Sequence, residues 1–308
     1  MRGVVWFRRD LRLADHPALS AACEECDEII PLFVFDDPLL CGQTFGAACV
    51  GFMLGCLQEL ASSLAGRGIT LQWRRGEPVA EVVEAAREWK ADVVYWNRDY
   101  EPGAIERDRA VQQRLAQSGI TARTFKDHVV FEAEEIRGAT GDPLQRYSAY
   151  RSRWWTQWHA AKPMALAVPE ALSAAKAVRL LSPAPLPSAG DLGYGAATPW
   201  IEPGERIARE RLRRFLDGPI HTYVNGRNLP AIDGTAKLSP HFRFGTLSPR
   251  AAVHEALAAL SKGGRVSRAD VLTWIDELIW REFFQQVLSD RKSTRLNSSH
   301  GYISYAVF

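Results

Sequence analysis

The chain has 308 residues, 46% of them hydrophobic, and a formal net charge of +2 at pH 7. This composition excludes a disordered chain and predicts a soluble globular protein with one large or two ordinary domains. The charge leaves open whether a surface binds a polyanion, because the small excess of Lys and Arg in residues 201–292 is also common on solvated surfaces.

The first half of the chain alternates strand-like and helical patterns, which predicts a parallel sheet covered by helices. We predict five strands, at residues 4–7, 28–35, 70–73, 92–96 and 121–125. No Gly-x-Gly-x-x-Gly follows the first strand, so a dinucleotide fingerprint of the usual kind is excluded.

An arginine-rich loop follows the first strand and contains Arg8, Arg9 and Arg12. Two interpretations stay open. The arginines could bind phosphate or an anionic pigment, or the loop could be structural, with salt bridges and with Asp15 as the cap of the first helix.

Membrane association is not expected from the apolar runs at residues 29–35 and 93–96, which are far too short to span a bilayer. Residues 1–3 lead into a strand without a signal-type segment, so we expect a cytoplasmic location. The five cysteines, odd in number and without paired metal-ligand spacing, predict free and mostly buried thiols.

The second half is helical in pattern, with predicted helices at residues 206–216, 249–260 and 267–288. It is preceded by an aromatic and basic segment, residues 147–155, whose rings we expect to pack between domains, and by an Ala- and Pro-rich connection at 161–200.

The last predicted helix has an unusual composition, because helical spacing places Trp274, Glu277, Arg281 and Phe284 on one face. Trp280 lies at the edge of that face, so a flat ligand could stack on a ring while the carboxylate binds its polar edge. The alternative is an amphipathic helix with a structural Glu–Arg pair.

Three segments in this order, Tyr223–Arg227, Gly234–Arg250 and Trp274–Gln285, resemble the flavin-binding half of the DNA photolyase and cryptochrome family. Residues 6–19 also resemble the family's opening strand and loop. The resemblance implies a Rossmann-like five-stranded α/β domain followed by an all-helical FAD-binding domain. We place the boundaries at 1–130 for the α/β domain, 131–200 for a linker and 201–292 for a partial helical domain.

The family's FAD phosphates are bound by the segment that corresponds here to Thr235, Ala236, Lys237, Leu238 and Ser239, although Ala236 replaces the usual serine. Two hydroxyls, a cation and backbone N–H groups suit a pyrophosphate, but small polar residues before a proline also mark ordinary turns. The resemblance also places Tyr223, Trp274 and Arg281 at the flavin.

For the reaction, the resemblance implies light-driven repair of cyclobutane pyrimidine dimers, most like a microbial class I photolyase. Glu277 would hydrogen-bond a flipped-out dimer and Trp280 would stack on it, while Arg227 and Arg281 would contact DNA. The alternative is a cryptochrome-type photoreceptor that signals through protein partners. We expect a monomer that uses no metal.

A second, antenna chromophore, either a folate or a deazaflavin, is implied only weakly. The family's Asn–Glu pair is not cleanly reproduced near residues 97–102, which leaves Glu106 as a weak candidate.

Residues 293–308 depart from the family and resemble translated adapter sequence, so we predict a non-native tail. Relatives continue with further helices that complete the flavin pocket. We therefore expect the helix at 267–288 to expose its aromatic face, and we expect weak FAD retention.

Overall fold

The computed structural model describes residues 1–41, 45–178, 180, 184–196, 198–261 and 267–290, and the predicted tail at 293–308 lies outside the described residues. The strands are β1 Arg2–Phe7, β2 Glu28–Asp36, β3 Gln72–Gly76, β4 Val93–Asn97 and β5 Thr121–Phe125. The helices of the sheet half are α1 Pro17–Glu25, α2 Asp37–Cys41, α3 Ala47–Ala65, α4 Pro78–Glu88 and α5 Pro102–Gln117. The helices that follow are α6 Tyr147–Ala161, α7 Glu205–Asp217, α8 Tyr223–Gly226, α9 Ser239–Arg243, α10 Pro249–Ser261 and α11 Arg268–Asp290.

The five strands form one parallel sheet in the order β3-β2-β1-β4-β5, which confirms the predicted Rossmann-like α/β fold. Four strands lie within two residues of their predicted bounds. The third was placed too early, because the buried Ile69 and Leu71 precede β3, whereas the edge strand itself contains Arg74 and Arg75. An edge strand tolerates such polar residues.

Hydrophobic clusters cover both faces of the sheet. Val5 and Phe7 of β1 belong to the cluster under α1 and α3, and Val4 and Trp6 belong to the cluster under α4 and α5. This division follows from the alternation of side chains along a strand. Of the described helices, Ala47–Ala65 alone is long and apolar enough to cross a membrane by length and composition. Seven of its side chains are buried in the core, so in this structure it is a core helix.

A third hydrophobic cluster holds the helical half together. It contains Trp154 and Trp158 of α6, Phe215 of α7, and Ile275 and Ile279 of α11. The aromatic residues at 147–155 therefore contribute to packing in this cluster, whereas their predicted position between two domains stays a prediction. Helix α6 lies in the sequence that we predicted to be a linker, yet it packs with the helical half, and the proposed domain boundaries remain a prediction.

All five cysteines are free, and three of them, Cys23, Cys26 and Cys56, are buried. Burial raises the pKa of the Cys23 thiol to about 11 and also raises that of Cys56. Thiols with raised pKa values are weak nucleophiles. The prediction of free, mostly buried thiols is confirmed.

The loop after β1 joins the sheet to the helical half. The expected cap role of Asp15 is wrong, because His16 caps α1 by accepting a hydrogen bond at its Nδ1 from Leu19 N, at 3.0 Å. Asp15 is buried, and its carboxylate instead accepts hydrogen bonds from Arg250 at 2.5 Å and from Ser248. Partners more than 230 residues away could not be predicted from local spacing.

Candidate functional site

Helix α11 carries four of the predicted site residues, Trp274, Glu277, Trp280 and Arg281, and its first turn is joined to α8. Ser267 Oγ accepts a hydrogen bond from Asp270 N at 3.1 Å, and Asp270 Oδ1 accepts one from Val224 N at 2.8 Å. This connection brings Tyr223 and Arg227, which lie in and just after α8, beside the middle of α11. Asp270 was not recognised from the sequence, where it reads as an ordinary acidic residue of a first helical turn.

Four predicted residues meet at this junction. Arg227 forms an ion pair with Glu277, and its guanidinium lies 5.8 Å from the ring centroid of Tyr223. The Tyr223 ring packs edge-on against Phe215, which in turn contacts Trp274 with ring centroids 5.4 Å apart. The ion pair is accessible, since the side chains of Arg227 and Glu277 are 34% and 39% exposed. A carboxylate and a guanidinium thus lie at the surface above buried aromatic rings.

Trp280 is half-buried and lies one turn beyond Glu277. Its ring is stacked on that of Tyr147, with centroids 3.5 Å apart and an interplanar angle of 8°. Phe283 and Phe284 of α11 contact its other sides. The expected exposed aromatic face is therefore wrong: none of the described aromatic residues of α11 is exposed, because α6, α7 and neighbouring rings of α11 cover them.

Arg281 is buried, and its guanidinium donates to two main-chain carbonyls, those of His128 at 2.7 Å and Phe242 at 3.4 Å. Burial, together with repulsion from Arg9, lowers the pKa of Arg281 to about 10. The side chain joins α11 to α9 and to the end of the sheet half. This position does not agree with the predicted contact between Arg281 and DNA, which would need an accessible guanidinium.

The segment from Thr235 to Ser239 offers hydrogen-bond donors. Ala236 and Leu238 are buried in the same hydrophobic cluster as Trp274. Within the described part of the chain, none of the five backbone N–H groups of this segment donates to another protein group. Lys237 has a left-handed backbone with φ of +50°, and its Nζ lies 2.8 Å from Asp233. Free N–H groups beside a cation fit a phosphate-bearing ligand, and the loss of the serine hydroxyl at Ala236 leaves those N–H groups in place.

Glu282 is a buried residue that sequence reasoning missed. Its carboxylate accepts hydrogen bonds from Val130 N at 2.6 Å and Phe131 N at 3.3 Å, and from Tyr150 Oη and Trp154 Nε1, each at 2.9 Å. Burial raises the pKa of Glu282 to about 7. The available signal was its helical spacing, since it lies three residues after the buried Ile279 and seven after Ile275. Glu282 holds α11 against α6 and thereby positions the site.

A separate cavity of about 640 Å³ lies at the carboxyl ends of the strands. Its walls include Trp6, Phe33 and Phe35, and arginines lie at its polar side. This is where the strand order reverses between β1 and β4, which is the usual ligand position in an open parallel sheet. The cavity is therefore a candidate for a second, flat ligand.

The arginine-rich loop supports the structural interpretation. Arg8 pairs with Asp108 at 2.5 Å, Arg9 pairs with Glu101 at 2.6 Å, and Arg12 is buried against Asp127. Arg8 and Arg9 also line the 640 Å³ cavity, so ion pairing and ligand binding are compatible for these two.

The antenna candidate Glu106 is exposed on α5 and does not line this cavity, so its role stays a prediction that is separate from the cavity. Asn97, in the segment that was compared with the family's antenna residues, is buried, and its Nδ2 donates to Asp10 at 2.8 Å.

Comparison with known sequences gives one family. A family model described as DNA photolyase matches residues 3–170. An uncharacterized 31.6 kDa protein of Synechococcus sp. (strain PCC 6716) is 36% identical over 280 residues, covering 90% of this chain and 97% of that protein. A deoxyribodipyrimidine photo-lyase of another Synechococcus strain is also 36% identical, covering 92% of this chain and 59% of the photo-lyase. The chain thus spans about three fifths of the curated photo-lyases that it matches.

Comparison with solved structures agrees. A class III photolyase from Agrobacterium tumefaciens has a TM-score of 0.81 and 27% identity, covering 97% of this chain and 62% of that chain. A cryptochrome from Synechocystis sp. PCC6803 has a TM-score of 0.80 at 24% identity, covering 94% of this chain and 62% of its own, and this likeness concerns the fold alone.

Proposed function

Because this chain belongs to the DNA photolyase family, we propose that it binds FAD and repairs cyclobutane pyrimidine dimers in DNA by light-driven electron transfer. The observation that carries the proposal is the meeting of Tyr223, Arg227, Trp274 and Glu277 from two distant segments at one accessible junction. Hydrogen bonding to a flipped-out base and contact with a DNA phosphate require an accessible carboxyl group and guanidinium, which favours repair over the signalling alternative. The proposed setting is the cytoplasm, with the chain acting as a monomer.

The FAD phosphates would be held by the free N–H groups of the segment from Thr235 to Ser239, with Lys237 as the nearby cation. Tyr223 and Trp274 would provide an apolar wall, since both are buried in the hydrophobic cluster that also contains Ala236 and Leu238. Arg281 would lie on the flavin side of α11, where its hydrogen bonds to main-chain carbonyls fix its position. When bound, reduced FAD would supply the photo-excited electron.

The chain's own contribution would be to extract, hold and polarise the lesion. Arg227 would exchange its ion pair with Glu277 for a DNA phosphate, which would free the Glu277 carboxyl group to hydrogen-bond the polar edge of the flipped-out dimer. Trp280 would stack on the dimer and exclude water. A fixed carboxyl group in a dry site stabilises charge that develops on the dimer, so Glu277 would act mainly on the repair yield.

The cavity at the strand ends would hold a second chromophore, either a folate or a deazaflavin. Its apolar walls suit a flat ring system, and Arg8 and Arg9 would bind an anionic group. This chromophore would transfer excitation energy to the flavin and is not required for the repair chemistry.

The test of the proposal is a flavin absorption spectrum of the 308-residue chain after incubation with FAD and removal of free cofactor. The expectation of weak FAD retention rested on an exposed aromatic face of α11, and that face is covered in this structure. We therefore expect retained flavin, followed by light-dependent loss of thymine dimers from an oligonucleotide when the flavin is reduced. Thr235→Pro, which distorts the phosphate segment, is expected to lower flavin retention by about 10-fold or more, because Pro restricts the backbone. A colourless wild-type chain would contradict FAD binding by this chain.

Trp280 and Glu277 are expected to affect different steps. Trp280→Ala should weaken binding of dimer-containing DNA in the dark by about 10-fold or more, because stacking of a base on an aromatic ring is strong. Glu277→Gln should leave dark binding within about 3-fold but lower the repair yield by about 10-fold. Dark binding is measured by fluorescence anisotropy and repair by dimer loss per absorbed photon. Equal effects of both variants on both measurements would contradict this division.

A further inference from the structure

Tyr147 covers the ring that the proposed function assigns to the lesion. Its ring lies parallel to that of Trp280, with an interplanar angle of 8° and centroids 3.5 Å apart. At this distance the two rings are in van der Waals contact over nearly their full area. A base stacked on this face of Trp280 would make the same kind of contact as the Tyr147 ring.

The rings of this stack overlap more closely than those of other stacked pairs in the helical half. Trp154 and Trp158 are also nearly parallel, at 10°, but their centroids are 5.3 Å apart, so their rings are offset. Phe215 and Tyr223 meet edge-on at 87°. Aromatic pairs in protein cores generally prefer edge-on or offset arrangements to a full face-to-face overlap. The Tyr147–Trp280 contact therefore resembles a ligand on a stacking platform more than ordinary core packing.

Tyr147 is also held in a way that permits displacement. It is the first residue of α6, and the preceding Arg146 makes no side-chain capping hydrogen bond. Tyr147 is half-buried, and its Oη donates a single hydrogen bond to the carbonyl of Asp276, at 3.0 Å. A residue at the first turn of a helix can change rotamer without breaking the helical hydrogen bonds of the turns that follow.

We propose that Tyr147 is the gate of the lesion site: without DNA its ring occupies the face of Trp280, and an entering base displaces it. This inference rests on the proposed function of Trp280. The paired side chains beside it fit the same arrangement, since Glu277 is bound by Arg227 until DNA supplies a phosphate for the guanidinium. The site is thus occluded by residues of the same chain. Binding of the lesion replaces Tyr147 on Trp280 with a base and Glu277 on Arg227 with a DNA phosphate.

The test compares dark binding of the full chain and its variants to a fluorescent oligothymidylate that contains one cis-syn thymine dimer. Tyr147→Ala removes the competing ring and is expected to bind about 2- to 10-fold more tightly, the range that corresponds to a typical aromatic pair. Tyr147→Phe keeps the ring and loses only the hydrogen bond to Asp276, so a smaller increase is expected. This second variant keeps the test valid if Tyr147→Ala folds poorly.

Two controls separate the gate from the proposed function. Trp155→Ala removes another aromatic residue of α6, one that contacts Trp154 and His159 and not Trp280, and it should leave binding unchanged. Unchanged or weaker binding by Tyr147→Ala and Tyr147→Phe, together with weaker binding by Trp280→Ala, would overturn the gate and leave the function standing. Unchanged binding by Trp280→Ala would remove the stacking role from the proposed function itself.

Discussion

Glu282→Ala is expected to lower the free energy of unfolding by about 4 kcal/mol, because it leaves several buried donors without an acceptor. Four groups donate to this carboxylate: two backbone N–H groups at Val130 and Phe131, the hydroxyl of Tyr150 and the indole of Trp154. They come from the end of the sheet half and from α6, so the loss also loosens α11. Chemical denaturation followed by circular dichroism measures the change.

Glu277→Ala is the matched control, because it removes a carboxylate from the same helix. Glu277 is 39% exposed and has a surface partner, so the expected change in unfolding free energy is below about 1 kcal/mol. Similar losses in the two variants would contradict a special structural role for Glu282.

The pH dependence of the wild-type chain follows from the same residue. Burial raises the pKa of Glu282 from the ordinary value of 4.5 to about 7. A carboxyl group whose pKa is raised by folding stabilises the folded state below its unfolded pKa, and this contribution is lost as the pH rises through the folded pKa. The loss of unfolding free energy caused by Glu282→Ala should therefore be larger at pH 5 than at pH 8. The opposite order would contradict burial as the cause of the raised pKa.

The sheet was predictable because its evidence is local. Buried strands of a parallel sheet read as continuous apolar runs, and β2 and β4 have such runs. Helix α11 was also predicted within two residues at each end, since Ile275 and Ile279 fall at helical spacing and are fully buried. The predicted position of edge strand β3 was too early because the buried apolar residues Ile69 and Leu71 lie before the strand.

The partners of charged residues were not predictable, because spacing along the chain says nothing about distant contacts. Asp15 is followed by a helix and looked like its cap, yet it pairs with Arg250 from α10. Likewise, spacing placed Glu277 and Trp280 on one side of a helix, but it could not show that Arg227 binds the first or that Tyr147 covers the second. The residue types of the site could be predicted from the sequence. That these residues pair with other residues of the same chain could not.

Arg250→Ala is expected to lower the free energy of unfolding by about 3–5 kcal/mol, because it leaves the buried carboxylate of Asp15 without its counter-ion. The side chains of Arg250 and Asp15 are only 8% and 3% exposed. Arg209→Ala is the matched control: Arg209 pairs with Glu205 at 3.3 Å but is 44% exposed, so a loss below about 1 kcal/mol is expected. Equal losses from the two arginines would contradict a buried joint between the two halves.

The dependence of the unfolding free energy on acid pH tests the same contact between the two halves, here through the carboxylate of Asp15. Burial alone would raise the pKa of Asp15, but Arg250 and Ser248 outweigh burial and hold it below the ordinary value of 3.8. A carboxyl group whose pKa is lowered by folding stabilises the folded state at pH values above its unfolded pKa, and this contribution is lost as the pH falls through the folded pKa.

The variant Asp15→Asn keeps the side-chain size and suits the left-handed backbone, where φ is +52°. The difference in unfolding free energy between wild type and Asp15→Asn should therefore shrink below about pH 4, since protonation then removes the same charge that the substitution removes. A difference that stays constant between pH 3 and pH 7 would show that the carboxylate charge does not hold the two halves together.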